Sequence, residues 1–145
     1  MIQSTLASAT LETVMREDRG RLLAALIARF GDFQLAEDAL QEALASALAN
    51  WTRGDVPDRP QGWLLKVAGH KAIDRLRRRK RDGAGAAALA VFASGPAEEE
   101  SEMIPDHRLR LIFTCCHPAL APKTRIALTL RTLGGLSTAQ IALAF

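Results

Sequence analysis

Cationic side chains at positions 66–81 form the densest cluster of chemically active groups in this sequence. The stretch holds eight Lys or Arg residues and one Asp, a net charge of +7, whereas the whole 145-residue chain carries only +3. Such a local concentration suits binding to the phosphates of a polyanion, and nucleic acid is the expected one. A solvated helix end, favoured by the helix dipole, is the alternative for part of this run. The candidate phosphate-binding residues share one side of a predicted helix or lie beside it: Lys66, His70, Lys71, Arg75, Arg77, Arg78 and Arg79.

An acidic set of side chains precedes the cations. Asp38, Gln41 and Glu42 lie on one face of a predicted helix, and the apolar face, which includes Leu44 and Leu48, is expected to be buried. An exposed acidic stripe suits an Arg-rich helical partner, because charge complementarity sets the register and speeds association. By composition alone, an ordinary solvated helix face is the alternative.

Cys115, Cys116 and His117 also offer chemistry, since thiolates and imidazoles bind zinc and form catalytic pairs. A structural zinc site needs a second ligand pair, and His70 and His107 do not form one with them. The sequence also has no glycine-rich phosphate loop and no nucleophile-elbow motif. We therefore expect no metal, no cofactor and no catalytic residue, with Cys116 packed as a small apolar residue and Cys115 partly exposed. Metal binding or redox sensing is the alternative.

The elements that must position these groups are predicted to be helices. Hydrophobic residues make up 48% of the chain, aromatic residues only 5%, and Tyr is absent, which favours an all-α fold. Apolar residues at helical spacing predict three helices in the first half, from Leu11 to Phe30, from Gln34 to Trp51, and from Pro60 through the basic run. Two prolines and two glycines predict a loop from Thr52 to Gly62.

The second half begins with a change of composition. Residues from Asp82 to Ile104 are rich in Gly, Ala, Ser and Pro and then in Glu, which predicts a flexible linker between segments 1–81 and 105–145. Three helices are predicted after the linker. The first has the apolar stripe Leu109, Ile112, Phe113 and Cys116 and ends at Pro118; the second runs from Pro122 to Leu133 and is closed by Gly134-Gly135; the third, from Ser137 to Phe145, opens with a capping box of Ser137 and Gln140.

The N-terminus has neither the basic start nor the apolar core of a signal peptide, and no apolar run approaches the roughly 18 residues of a membrane span. The two adjacent cysteines are poorly placed for a disulfide framework, as in a reducing compartment. We expect a cytoplasmic protein.

The order of these motifs resembles the sigma-70 family of bacterial transcription initiation factors, specifically the extracytoplasmic-function (ECF) group that retains only regions two and four. The resemblance rests on Gly31-Asp32 before Ala36-Glu37-Asp38-Ala39-Leu40-Gln41-Glu42-Ala43, then Pro60-Gln61-Gly62-Trp63-Leu64, then Ala72-Ile73-Asp74-Arg75-Leu76-Arg77-Arg78. Residues Leu109 to Leu136, with Phe113-Thr114-Cys115-Cys116-His117-Pro118, further resemble the subgroup whose members carry a C-terminal helical-repeat extension. The resemblance implies a non-enzymatic factor that binds core RNA polymerase and promoter DNA, regulated by an anti-sigma factor or by that extension.

The same resemblance implies roles for particular residues in the first segment. Asp38, Gln41 and Glu42 would face the clamp helices of the largest polymerase subunit. The loop from Thr52 to Gly62 and the helix after it would recognise and melt the minus-ten promoter element, with the cations of that helix on backbone phosphates. Trp63 is a candidate for stacking on a base, but core packing is the favoured alternative, because Val67 lies four residues later on the same helix.

Other features depart from the family pattern or fit it only in part. Many members have an Arg-Asn pair where this chain has Gly69-His70, so a base-contacting amide is replaced by an imidazole. Leu136 to Ala142 resembles the first helix of the helix-turn-helix that reads the minus-35 element. The recognition helix that should follow is missing before Phe145, so we expect a chain truncated within region four. A helix-turn-helix regulator that acts without polymerase is the alternative function.

Overall fold

The structure is a computed structural model that describes residues 2–82 and 106–145, and within them every regular element is an α-helix. The helices are α1 (Ile2–Glu17), α2 (Arg19–Phe30), α3 (Phe33–Trp51), α4 (Pro60–Arg81), α5 (Arg108–Cys115), α6 (Pro122–Thr132) and α7 (Thr138–Ala144). The predicted all-α fold is confirmed. Apart from Asp82, the predicted linker lies outside the described residues, so the division of the chain around it stays a prediction.

The range predicted for the first helix, Leu11 to Phe30, was wrong. Helical structure begins at Ile2 and is interrupted at Asp18. Backbone hydrogen bonds continue on both sides of the bend: the Asp18 amide donates to the Val14 carbonyl at 2.7 Å, and the Leu22 amide donates to the Asp18 carbonyl at 2.9 Å. The Asp18 carboxylate accepts a hydrogen bond from Gln61 Nε2 at 3.0 Å. This contact ties the bend between α1 and α2 to the first turn of α4.

α3 and α4 form the centre of the first segment and run antiparallel, since Trp51 at the end of α3 meets Trp63 near the start of α4. Leu35, Leu40 and Trp51 of α3 are almost fully buried, together with four of its alanines. Small side chains let helices approach closely, which the alanine-rich sequence of α3 favours. Leu64 and smaller residues of α4 complete this core.

The start of α3 is fixed by its cap. Gly31 ends α2 with a positive φ of 67°, a conformation that glycine adopts at little steric cost, and its amide donates to the Ile27 carbonyl at 2.7 Å. Asp32 then accepts a hydrogen bond from the Leu35 amide at 3.0 Å and caps α3. The two residues therefore turn the chain sharply between successive helices.

The apolar stripe predicted for α5 was wrong. Leu111 and Cys115, one turn apart, are buried and belong to the same hydrophobic core as α2 and α3, whereas Leu109 and Phe113 remain about two-thirds exposed. Cys116 is exposed, so the expected arrangement of the two cysteines is also reversed. The reason is that α5 packs on α2 through Leu111 and Cys115. In the sequence, the longer run of apolar residues on another face of the helix favoured the wrong face.

The signals predicted at the end of α6 and at the start of α7 are confirmed. Gly135 follows α6 with a φ of 66°, and the Leu136 amide donates to the Leu130 carbonyl at 3.2 Å. The capping box is present, since Ser137 Oγ accepts from the Gln140 amide and Gln140 Oε1 accepts from the Ser137 amide. Among the described residues, no helix has both the length and the apolar character that spanning a membrane requires.

Candidate functional site

The acidic stripe of α3 contacts the basic run of α4 directly. Arg75 Nη1 lies 3.5 Å from Asp38 Oδ2, its Nε donates to Glu42 Oε1 at 3.0 Å, and its Nη2 also contacts that oxygen. The Asp38 carboxylate also accepts a hydrogen bond from Gln34 Nε2 at 3.0 Å. Each of the three charged side chains remains about one-third exposed, and Gln41 beside them is exposed. The stripe is thus an ordered ion-pair cluster that solvent still reaches.

Arg79, one turn after Arg75, also faces α3. Its Nη1 lies 3.3 Å from Asp32 Oδ2, the second oxygen of the helix cap. The pKa of the Asp32 carboxyl lies below its ordinary value, mainly because of the hydrogen bond from the Leu35 amide. The hydrogen bond from Arg79 lowers this pKa further. Two of the seven residues predicted to bind phosphates, Arg75 and Arg79, therefore pair with carboxylates outside α4.

The other predicted cations point elsewhere. Lys66, His70 and Arg77 lie on one side of α4 and are exposed, as is Arg78. Arg77 approaches Asp74 at 4.0 Å, one turn away on the same helix, with both side chains more than half exposed. Lys71 is partly buried, and Lys80 and Arg81 extend the exposed set to the end of α4. Within residues 2–82 and 106–145, no ion pair joins Lys66, Arg77 or Arg78 to a carboxylate of another helix.

The tryptophans anchor the loop between α3 and α4. The rings of Trp51 and Trp63 meet edge to face, with centroids 5.2 Å apart and an interplanar angle of 63°. Trp51 is buried, and its Nε1 has no hydrogen-bond partner within the described part of the chain. Trp63 is partly buried and packs against the core, as the packing alternative for this residue predicts. In the loop from Arg53 to Arg59, Val56 and Pro57 are partly buried, with Val56 packed against the core, and the other residues are exposed.

Gly69 lies close to the end of an arginine side chain from α2. The residue is buried, and a Cβ at this position would lie only 2.8 Å from Nη1 of Arg29 on α2. Any side chain at position 69 would therefore require the end of the Arg29 side chain to shift. His70 next to it is exposed on the cationic side of α4.

An apolar groove continues the acidic stripe toward the end of α3. Leu48, predicted to lie in the core, is 48% exposed, and Leu44 is partly buried. With Ala45 and four residues of α1, they line a groove of about 390 Å³; the α1 residues are Ser8, Leu11, Glu12 and Met15. Residues 41, 45 and 48 follow helical spacing, so the groove and the stripe form one continuous face of α3. That spacing is visible in the sequence, but spacing alone does not distinguish an open groove from a buried face.

The cysteines do not join any ligand set. Cys115 Sγ lies 3.3 Å from Thr132 Oγ1 inside the core, and within residues 2–82 and 106–145 no group of His, Cys, Asp and Glu is arranged to hold a metal ion. His117 Nδ1 accepts a hydrogen bond from the Ala119 amide at 3.1 Å. These residues shape the turn after α5.

Comparison with known proteins matches residues 14–82 to the family model for sigma-70 region 2. This part of the chain is similar to sigma-70 region 2 and is called the region 2 segment below. It comprises the end of α1 and all of α2, α3 and α4, and therefore contains the acidic stripe, the loop and the cationic side of α4.

Two relatives extend the match beyond that segment. An uncharacterised protein of Rhizobium meliloti (strain 1021) is 39% identical over 135 residues, which cover 88% of this chain and 31% of the relative. A probable ECF RNA polymerase sigma factor, SigI, of Mycobacterium tuberculosis is 28% identical over 132 residues, which cover 88% of this chain and 45% of that protein. The chain thus spans less than half the length of these relatives. No solved structure matches it significantly.

The region 2 match and the SigI match are both similarities to the sigma-70 family, the second within its ECF group.

Proposed function

We propose that the chain acts as an ECF-type sigma factor that binds core RNA polymerase through α3 and promoter DNA through α4 and the loop before it. The observation that carries the proposal is the separation of charge within the region 2 segment. Carboxylates line one face of α3, while Lys66, His70 and Arg77 lie exposed on the side of α4 that those carboxylates do not contact.

The polymerase side of the proposal uses the whole exposed face of α3. Asp38, Gln41 and Glu42 would meet cationic side chains of the clamp helices, where complementary charge fixes the register of two helical surfaces. Leu44 and Leu48 would supply the apolar part of the same contact, since interfaces combine an apolar centre with a polar rim.

The DNA side separates grip from recognition. Lys66, His70, Arg77 and Arg78 would hold backbone phosphates, which gives affinity without reading sequence. The loop from Arg53 to Arg59, held at its base by the two tryptophans, would contact the unpaired bases of the minus-ten element. Opening and unstacking a base costs a few kcal/mol, and contacts to the extruded base and its phosphates offset that cost.

Charge reversal on α3 tests the proposal. Replacing Asp38 and Glu42 together by Lys is expected to weaken binding to purified core polymerase about tenfold or more, because attraction becomes repulsion. The matched control replaces Glu17 and Asp58, exposed carboxylates outside the stripe, by Lys and is expected to bind as the parent does. Binding is measured by titrating labelled protein with polymerase, and circular dichroism confirms that both variants stay helical.

Two results would contradict the assignment. Equal binding by the Asp38/Glu42 variant and the parent would remove α3 from the interface. A parent protein that binds duplex DNA but no polymerase would instead favour a helix-turn-helix regulator that acts alone.

A further inference from the structure

Arg75 lies in the basic run of α4, but its guanidinium contacts the acidic stripe of α3. We propose that Arg75 is a positioning residue of the polymerase-binding face. It holds the carboxylates of Asp38 and Glu42 in the geometry that receives a cationic side chain of the polymerase, and it does not bind a DNA phosphate. The inference rests on the proposed function, because it takes the acidic stripe as the polymerase contact.

The hydrogen bonds leave the carboxylates able to accept more. Arg75 occupies Oδ2 of Asp38 and Oε1 of Glu42, and Gln34 donates to Oδ1 of Asp38. Within the described residues, Oε2 of Glu42 accepts no hydrogen bond. A carboxylate accepts about four hydrogen bonds through its two oxygens, so an incoming cation can be added without displacing Arg75.

Charge explains why the stripe needs a bridging cation. Asp38 and Glu42 are one turn apart on α3, and like charges at that spacing destabilise a helix and push the side chains apart. Arg75 offsets the repulsion and leaves the three-residue cluster with a net charge of −1. Because the bridged carboxylates are already ordered, less side-chain entropy is lost when a partner binds them.

The partial burial and the direction of the Arg75 side chain exclude this residue from the group that would bind DNA phosphates. Its side chain is about one-third exposed and faces α3, whereas Lys66 and Arg77 are exposed on a different side of α4. Reaching a phosphate there would require Arg75 to break its interactions with two carboxylates.

The experiment compares Arg75→Ala and Arg75→Lys with two matched variants in the full chain. Arg79→Ala removes the neighbouring ion pair between α4 and α3 without touching the stripe. The second, Arg77→Ala with Arg78→Ala, removes exposed cations. For each variant, affinity for core polymerase, affinity for a single-stranded minus-ten oligonucleotide at several salt concentrations, and urea unfolding are measured.

We expect Arg75→Ala to weaken polymerase binding about threefold to tenfold, Arg75→Lys to restore part of the loss, and Arg79→Ala to change little. The salt dependence of oligonucleotide binding should be the same for Arg75→Ala and the parent. In the variant without Arg77 and Arg78 the slope should flatten by about 0.7 for each phosphate that these arginines neutralise in the parent.

Several outcomes would overturn the inference. Unchanged polymerase binding by Arg75→Ala would show that the ion pairs of Arg75 do not help the polymerase contact, and tighter binding would show that they compete with it. A flattened salt dependence of oligonucleotide binding would show that Arg75 contacts a DNA phosphate. Parallel losses of stability and of both binding activities in Arg75→Ala and Arg79→Ala would indicate a purely structural ion pair. If the Asp38/Glu42 charge reversal leaves polymerase binding intact, the proposed function itself fails.

Discussion

At the scale of single residues, the two adjacent thiols occupy opposite environments. Cys115 is fully buried with Sγ 3.3 Å from Thr132 Oγ1, whereas Cys116 is exposed. We predict that a maleimide reagent modifies one thiol rapidly in the native protein and both in urea, because a buried thiol is shielded until the core opens. The measurement is labelling rate followed by mass spectrometry.

Single serine variants identify the reactive thiol. Cys116→Ser should abolish the rapid phase, and Cys115→Ser should retain it. Rapid labelling that survives in Cys116→Ser would mean that α5 presents its other side to solvent. Residue identity alone could not settle this point, since both neighbours are cysteine and only packing on α2 distinguishes them.

At the scale of elements, the cap of α3 joins two helices through one carboxylate. Asp32 accepts from the Leu35 amide with one oxygen and meets Arg79 of α4 with the other. We predict that Asp32→Ala lowers the free energy of unfolding by about 0.5–2 kcal/mol, the usual cost of removing a helix cap. Asp32→Asn should cost less, because asparagine also caps helices and only the charge on Arg79 is left unpaired. Urea unfolding at pH 7 measures both.

The pH dependence of that difference follows from the lowered pKa of Asp32. A carboxyl whose pKa is lower in the folded state stabilises the fold fully above its unfolded pKa, near pH 4, and loses that contribution as pH falls through the folded value. The gap between the parent and Asp32→Asn should therefore narrow as the pH is lowered below about 4. A gap independent of pH would show that the Asp32 charge adds nothing to the cap.

Sequence patterns predicted the elements with strong local signals and missed those decided by packing. Pro60 at the start of α4 and the Ser137 capping box are local, and the structure confirms both. Asp18 interrupts the first helix while its carboxylate contacts Gln61, 43 positions later, which periodicity cannot register. Likewise, Leu48 fits the apolar face of α3 by spacing, but no helix among the described residues covers it fully. For the candidate site, the charged residues were predicted, whereas the pairing of Arg75 with α3 depends on how two helices meet.

At the scale of the whole molecule, the C-terminal helices pack on helices α2 and α3 through apolar and ionic contacts. Leu133 beyond α6 closely approaches Gly20 of α2, where an added Cβ would lie 3.3 Å from Leu133 Cδ2. Glu37 of α3, only 12% exposed, lies between Arg19 Nη2 at 3.6 Å and Arg131 Nη2 at 3.3 Å. Burial lowers the pKa of the Arg19 guanidinium, and the Glu37 carboxylate opposes that effect. Glu37 thus compensates the largely buried charge of Arg19. It also links α3 to Arg131, which lies 94 positions later in the chain.

We predict that Glu37→Gln destabilises the protein by about 1–3 kcal/mol in urea unfolding, because the mostly buried guanidinium of Arg19 loses its compensating charge. The matched control, Glu17→Gln, removes a carboxylate that is 62% exposed and 3.8 Å from Arg16, and should change stability little.

Hydrogen exchange in α6 should accelerate in Glu37→Gln, since Arg131 loses its link to α3. Arg131→Gln combined with Glu37→Gln should cost less than the sum of the single changes, as expected for residues in one ion-pair network. Additive costs together with unchanged exchange in α6 would show that the apolar contact of Leu133 with α2 holds the two parts together without help from Glu37.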